Sequence, residues 1–405
     1  MNRYNRIRSI QGSVTAPRGF IANGINCGLR KERPDIGLLF SLTPCVAAGA
    51  FTRNLVKAAP VRFCMKNLAN PIHAVFVNSR IANACTGPRG YQDTVSISRM
   101  VSDLLGIKPQ NVLVASTGII GRFLDMRKIG AGLKELAPGL NRKGNRNMAR
   151  AILTTDTKEK EIAVEFRIKG KKVKLGGIAK GSGMIAPDMA TLLAFLTSDI
   201  KIEKKILQKI FSEVISRTFN AITIDGDMST NDTALILCNG QAGNDTLTAK
   251  DKKDLAVFRD HLYYVLNDLS VKLVKDGEGV TRFVRLHVVH AADRSQAGAI
   301  GFKIANSPLV KTAFYGSDAN WGRILGAAGA AGVHFNPEKV EVRFGPYTLC
   351  RKGAPVTFSE GLLKKYLSRG EIDVTIDLHQ GKESFVIYTS DLTEDYIRIN
   401  AHYRS

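Results

Sequence analysis

Stretches that alternate between apolar and polar residues interleave along this chain with stretches of helical spacing. The runs "HAVFVNS" (73–79) and "NVLVAST" (111–117) are short, apolar and closed by small polar residues, as in strands buried within a sheet. Ile206, Leu207, Ile210, Phe211, Val214 and Ile215 predict an amphipathic helix over 204–218. Leu255, Phe258, Leu262, Leu266, Leu269 and Leu273 carry the same period through a longer helix, which Gly277 and Gly279 in "KDGEGV" bring to an end. Near the C-terminus "DVTIDLH" alternates, "QGK" turns and "SFVIYTSDL" alternates again, which predicts a hairpin. A second hairpin is expected where Arg167, Lys169, Lys171, Lys172 and Lys174 crowd together. With no internal repeat and no low-complexity linker, the expected fold is α/β, an α+β layered sandwich.

Composition narrows the function classes. A chain of 405 residues has room for two domains or one large α/β unit, and 44% hydrophobic with 23% charged residues is the balance of a globular protein. The longest apolar runs, 190–196 and 324–333, are far too short to span a bilayer. The first twenty residues are basic but lack the apolar stretch of a secretory signal, so a cytoplasmic location is expected. Cys27, Cys45, Cys64, Cys85, Cys238 and Cys350 form no CxxC pair and are expected to be buried, reduced thiols. His287 and His290 lie three apart in a strand-like run and so face opposite sides, which gives no shared metal site. Neither a metal nor an organic cofactor is expected.

The net charge of +22 raises nucleic acid as a partner, or steering of anionic small molecules. The basic residues are spread along the chain without a nucleic-acid motif. A solvated basic surface is therefore expected, with no nucleic-acid or membrane partner.

Three motifs fail on inspection. "GSGMIA" (181–186) fits a loose dinucleotide fingerprint, but Pro187 follows and no strand–helix–strand frame surrounds it. "GKES" (381–384) lacks the rest of a phosphate loop, and "DGDMSTND" (225–232) has Ile236 where a calcium loop needs its bidentate Glu. In "AKGSGMIAPDMATLLAFLTSD" (179–199), Thr191 stands between a small-residue loop and an apolar run. By itself it reads as a cap or turn residue. The sharper reading is a nucleophile that attacks the Ala190 carbonyl, releases two chains, and then uses its own new α-amine as base.

The segment 180–199 is very similar to the self-cleavage segment of the ornithine acetyltransferase family, the bifunctional glutamate N-acetyltransferases of arginine biosynthesis. In the same order the chain carries "FTRNLVKAAPV" (51–61), "NACTG" (83–87), "STGIIG" (116–121), "LTTDT" (153–157), "TFNAITIDGDMSTNDT" (218–233), "DGEGVTR" (276–282), "FYGSDANWGRILGAAG" (314–329) and "RINAHYRS" (398–405). The matches span nearly the whole length.

The resemblance implies a self-cleaving enzyme of the N-terminal-nucleophile type. Cleavage between Ala190 and Thr191 would give an α chain, 1–190, and a β chain, 191–405, sharing one sheet core and assembling as two α and two β chains. Thr191 would be the nucleophile, with the Thr117 hydroxyl and Gly118 N–H as oxyanion hole. Thr154, Lys180, Thr191, Glu278, Asn400 and Ser405 would bind substrate, Lys180 suiting a carboxylate and Glu278 an ammonium. The implied reaction moves acetyl from N2-acetylornithine to glutamate, with acetyl-CoA as a second acetyl source. An amidohydrolase or aminopeptidase of the same chemical type is the alternative, and a basic nucleic-acid-binding protein a remote one. The chain departs from the family pattern NSGNANACTG at Arg80 and Ile81, which bears on loop shape. It also has Asp188 where Asn is commoner, and Ser405 in place of a frequent terminal Thr.

Overall fold

The computed structural model describes residues 7–186 and 192–402. They form two compact units, one comprising 7–181, 192–220 and 228–269, the other 182–186, 221–227 and 270–402. Among the described residues no helix is long and apolar enough to cross a membrane.

The first unit is built on a nine-stranded sheet. Its order runs Arg8–Ser9, Lys160–Ile168, Lys171–Lys180, Leu193–Ser198, Thr233–Cys238, Ile36–Phe51, Ile72–Asn78, Val112–Ser116, with Phe20–Ile25 also pairing with Ile36–Phe51. Both apolar runs read as strands are strands, and they pair in parallel across the helix Gly87–Leu105. The long strand Ile36–Phe51 changes partners along its length. Its first part pairs with Ile72–Asn78, its last six residues with Thr233–Cys238, and its register shifts between Phe40 and Cys45. Pro44, which has no N–H to give a ladder, sits in that irregularity.

Leu193–Ser198 is buried at every residue, antiparallel to Lys171–Lys180 on one side and parallel to Thr233–Cys238 on the other. Residues on both sides of position 191 therefore share one sheet. The predicted helix over 204–218 forms as Lys204–Ile215, burying Leu207, Ile210, Phe211, Val214 and Ile215. Its Gln208 amide accepts from Gly49 N–H and donates to Gly49 C=O, both at 3.1 Å. The longer helix spans Lys252–Lys275, and there His261 stacks on Phe166 with ring centroids 4.2 Å apart. The basic hairpin forms as expected, turning at Lys169 and Gly170, whose positive φ values of 46° and 77° suit a tight two-residue turn.

The second unit carries a six-stranded sheet in the order Ala354–Pro355, Tyr347–Arg351, Glu341–Phe344, Glu371–Asp377, Phe283–Ala291, Glu383–Ser390. Here one expectation is corrected. The two alternating segments around "QGK" are strands, but they do not pair as a hairpin. Phe283–Ala291 lies between them, parallel to Glu371–Asp377 and antiparallel to Glu383–Ser390. Its buried Val284, Leu286 and Val288 join Ile372, Val374, Ile376 and Ile387 in one core. A local turn signal cannot reveal a strand inserted from about ninety residues upstream. A second correction concerns the thiols: Cys45, Cys64, Cys238 and Cys350 are buried, but Cys27 is half-buried and Cys85 exposed.

The same unit buries Lys311. Its Nζ donates to Ser390 O at 2.5 Å, Ser390 Oγ at 3.1 Å and Thr389 Oγ1 at 3.3 Å. Burial lowers its pKa from 10.5 to about 8, against the pull of Asp391 and Asp225. The unfolded chain therefore holds more protons than the folded one between these values, so stability rises with pH from about 8 to 10.5. The rise attributable to Lys311 is about 3 kcal/mol. Urea unfolding of Lys311→Met across this range is expected to lose that component of the slope. An unchanged slope contradicts the assignment.

Candidate active site

Two donors stand on adjacent residues where the strand Val112–Ser116 ends. Thr117 N–H donates to Asn78 O at 3.0 Å and Ile119 N–H to Arg80 O at 2.9 Å. Between them, the Gly118 N–H meets no acceptor among the described residues. Gly118 has φ 130°, and a Cβ there would lie 2.2 Å from the Arg80 carbonyl carbon, so only glycine fits. Thr117 is 4% exposed, and its Oγ1 accepts from Lys180 Nζ at 3.2 Å. With a lone pair of Oγ1 taken by the ammonium, the hydroxyl hydrogen is free to donate elsewhere.

Buried amides hold this corner in place. Asn231 Nδ2 donates to Ala82 O at 2.6 Å and Ser116 O at 2.8 Å, tying the two loops together. Ser116 Oγ donates to Asn78 Oδ1 at 2.6 Å, and Asn78 Nδ2 to Ile81 O at 2.8 Å.

Lys180 is the last residue of the strand Lys171–Lys180 and only 2% exposed, so it is no solvated loop lysine. Burial lowers its pKa, an effect Asp156 opposes. Asp156 is buried as well. Its carboxylate accepts from Lys160 Nζ at 2.7 Å, Gly181 N–H at 2.7 Å and Thr154 N–H at 3.0 Å, and Thr154 Oγ1 lies 3.4 Å away. Burial disfavours its ionisation, but Lys180, Lys160 and these hydrogen bonds override that and hold the carboxyl well below the usual range. Two buried ammonium groups thus share one carboxylate, a local excess of positive charge suited to an anionic substrate group.

Asp232 marks the chain beside the expected cleavage point. Its Oδ1 accepts from Leu192 N–H at 3.0 Å, while its buried Oδ2 has no partner among the described residues. Burial pushes this carboxyl well above the ordinary range. Sequence reading passed over Asp156, Lys160, Asn231 and Asp232 as site residues. Asn231 and Asp232 sat in the rejected calcium-like run, and Asp156 in "LTTDT", where nothing local distinguishes it from a turn carboxylate.

In the second unit, Glu278 and Asn400 come together. Asn400, on the helix Glu394–Ala401, donates from Nδ2 to Glu278 Oε2 at 2.8 Å. Glu278 N–H donates to Ser182 O at 2.7 Å, and a Cβ on Gly183 would lie 2.5 Å from Glu278 Oε2. The C-terminal helix is therefore anchored at Asn400. Ala190, Thr191, Asp188 and Ser405 lie outside the described residues.

The profile of the ArgJ family matches residues 21–405. The chain belongs to the ArgJ family. It is 43% identical over 401 residues to the arginine biosynthesis bifunctional protein ArgJ of Bacillus licheniformis, covering 98% of both chains. To that of Bacillus subtilis it is 44% identical over 403 residues, covering 99% of this chain and 98% of the relative. A crystal structure of the arginine biosynthesis bifunctional protein ArgJ from Bacillus halodurans aligns with 51% of this chain and 96% of its own, at 39% identity and a TM-score of 0.49.

Against the pattern NSGNANACTG, the structure accounts for one departure within this ArgJ chain. Arg80, where the pattern has Gly, sits at φ 82°, in the region that favours glycine. The loop keeps a glycine-like backbone and carries the strain of a Cβ, about 1–2 kcal/mol, partly offset by the lower chain entropy of a non-glycine residue. Arg80→Gly is expected to stabilise the protein by about 1 kcal/mol, read as an upward shift in a thermal melt. A downward shift contradicts this account of the loop.

Proposed function

We propose that this chain moves the acetyl group of N2-acetylornithine to glutamate through an ester on Thr191, after cleaving itself between Ala190 and Thr191. It is an acetyltransferase of arginine biosynthesis. The near-full-length match to bifunctional relatives supports that assignment. The observation that carries the mechanism is the pairing of Thr117, whose hydroxyl hydrogen meets no acceptor among the described residues, with a Gly118 N–H that likewise meets none among them.

In the proposed reaction the Thr191 α-amine takes the proton of its own hydroxyl as Oγ attacks the acetyl carbonyl. Thr117 Oγ–H and Gly118 N–H stabilise the oxyanion. The C–N bond breaks, the departing amine takes the proton, and ornithine leaves an acetyl-threonyl ester. Glutamate's amine then attacks that ester, producing N-acetylglutamate and restoring Thr191. Lys180 suits a substrate carboxylate and Glu278 a substrate ammonium, and Thr154, Asn400 and Ser405 belong to the same proposed binding set. Acetyl-CoA charging the same hydroxyl is the second activity. The α chain 1–190 and β chain 191–405 assemble as two of each, in the cytoplasm.

A hydrolase of the same chemical type would hand the acetyl group to water instead. The test is release of ornithine from acetylornithine with and without glutamate, together with detection of N-acetylglutamate. Ornithine release that depends on glutamate and matches N-acetylglutamate formation supports transfer. Equal release with acetate as the product overturns it.

A further inference from the structure

The geometry points to a divalent transition-metal site formed by His290, Asp377 and His379 in the second unit. One donor atom from each lies within 4.8 Å of the other two. His290 Nδ1 is 2.8 and 2.9 Å from the two Asp377 oxygens, and His379 Nδ1 is 3.5 Å from Asp377 Oδ1. Ligands held about 2.0–2.1 Å from a tetrahedral zinc ion are separated by little more than 3 Å, so an ion fits among these atoms with small side-chain shifts.

The backbone brings the three together in a way the sequence spacing conceals. The Phe283–Ala291 strand changes register between Val288 and Ala291, and His290 there adopts φ 52°. This turns its side chain out of the regular alternation that governs His287, which lies near Asp373 instead. Across the sheet, Asp377 ends its strand and accepts from His379 N–H at 3.0 Å, and His379 has φ 48°. Gln380 and Gly381 N–H donate to His290 O at 2.8 and 2.9 Å, locking one histidine-bearing segment to the other. The two imidazoles lie nearly parallel, with centroids 6.0 Å apart. Asp377 is buried, whereas both imidazoles are about half exposed and open to an ion from solvent.

The donor set selects the class of ion. Two imidazoles and one carboxylate suit Zn²⁺, Ni²⁺, Co²⁺ or Cu²⁺, whereas Mg²⁺ and Ca²⁺ prefer oxygen-only sites. Three protein ligands leave a position for water or a small anion. A bound ion would join the ends of two adjacent strands and stabilise the folded unit by mass action. The cluster shares no residue with the acetyl-transfer set proposed above.

The test is titration calorimetry of Zn²⁺ into the chelator-stripped full-length protein, with a thermal melt of each sample. One ion per chain is expected, along with a zinc-dependent rise in melting temperature. His290→Asn and His379→Asn are expected to weaken binding by at least about 100-fold and to remove the rise. Asn tolerates positive φ, which favours folding of both variants. The control His287→Asn is expected to bind like the parent. Absence of binding by the parent, or undiminished binding by both cluster variants, overturns the proposal and leaves a hydrogen-bonded His–Asp pair. Should a variant fail to fold, Co²⁺ added to the parent decides. Its visible ligand-field bands without thiolate charge transfer support the site, and a thiolate band or no spectrum overturns it.

Discussion

Thr191→Ala is expected to leave the chain as one polypeptide of 405 residues and to abolish acetyl transfer. Both steps need the same oxygen. In the proposed maturation the hydroxyl attacks the Ala190 carbonyl and the peptide becomes an ester that water opens. In the proposed transfer the same hydroxyl, now with a free α-amine beside it, takes the acetyl group. Alanine supplies neither the attacking oxygen nor an uncovered amine. Thr191→Ser keeps both and is expected to retain part of each activity.

Intact mass of the parent protein is expected to show chains 1–190 and 191–405. Under native conditions they are expected to stay together. The strand Leu193–Ser198 is buried between Lys171–Lys180 and Thr233–Cys238, and Thr233–Cys238 pairs in turn with Ile36–Phe51. Separating the chains would expose that apolar ladder on both sides. Full activity in an uncut chain, or normal cutting of Thr191→Ala, overturns the nucleophile assignment.

The second large effect is expected at Thr117. Thr117→Ala removes one donor and leaves Gly118 N–H in place. If the hydroxyl acts only on the transition state, kcat falls by about 10²–10³ while KM barely moves. The substitution also removes an acceptor from the buried Lys180 ammonium, which retains Asp156 nearby. Some loss of stability is therefore expected beside the kinetic effect. Thr117→Ser, which restores the hydroxyl, separates the two by recovering most of kcat. Kinetics and melting are measured on the same cleaved sample, so that an effect of the substitution on maturation does not enter the comparison. A destabilised Thr117→Ala with undiminished kcat leaves Thr117 as a strand-ending residue only.

The readable parts of this molecule were those whose cause is local. The strands at 72–78 and 112–116, the helices at 204–215 and 252–275 and the basic hairpin follow from periodicity and turn chemistry, which a short window contains. The place of Thr117–Gly118 at a strand end was legible for the same reason. Membership of the family was legible from many ordered segments, each weak alone.

By itself, then, the sequence determined which segments become helix or strand and which family's ordered residues the chain carries. The tertiary structure alone decided which strands lie side by side and which charges share a burial site. Phe283–Ala291 separates Glu371–Asp377 from Glu383–Ser390 because the best burial of its Val284, Leu286 and Val288 lies between them, a choice no turn encodes. Asp156, Lys160 and Lys180 become one buried cluster, and the buried Asp377 meets the half-exposed His290 and His379, through the pairing of strands in each sheet. Desolvation and Coulomb attraction depend on distance through space. For these residues that distance exists only once the sheets have formed.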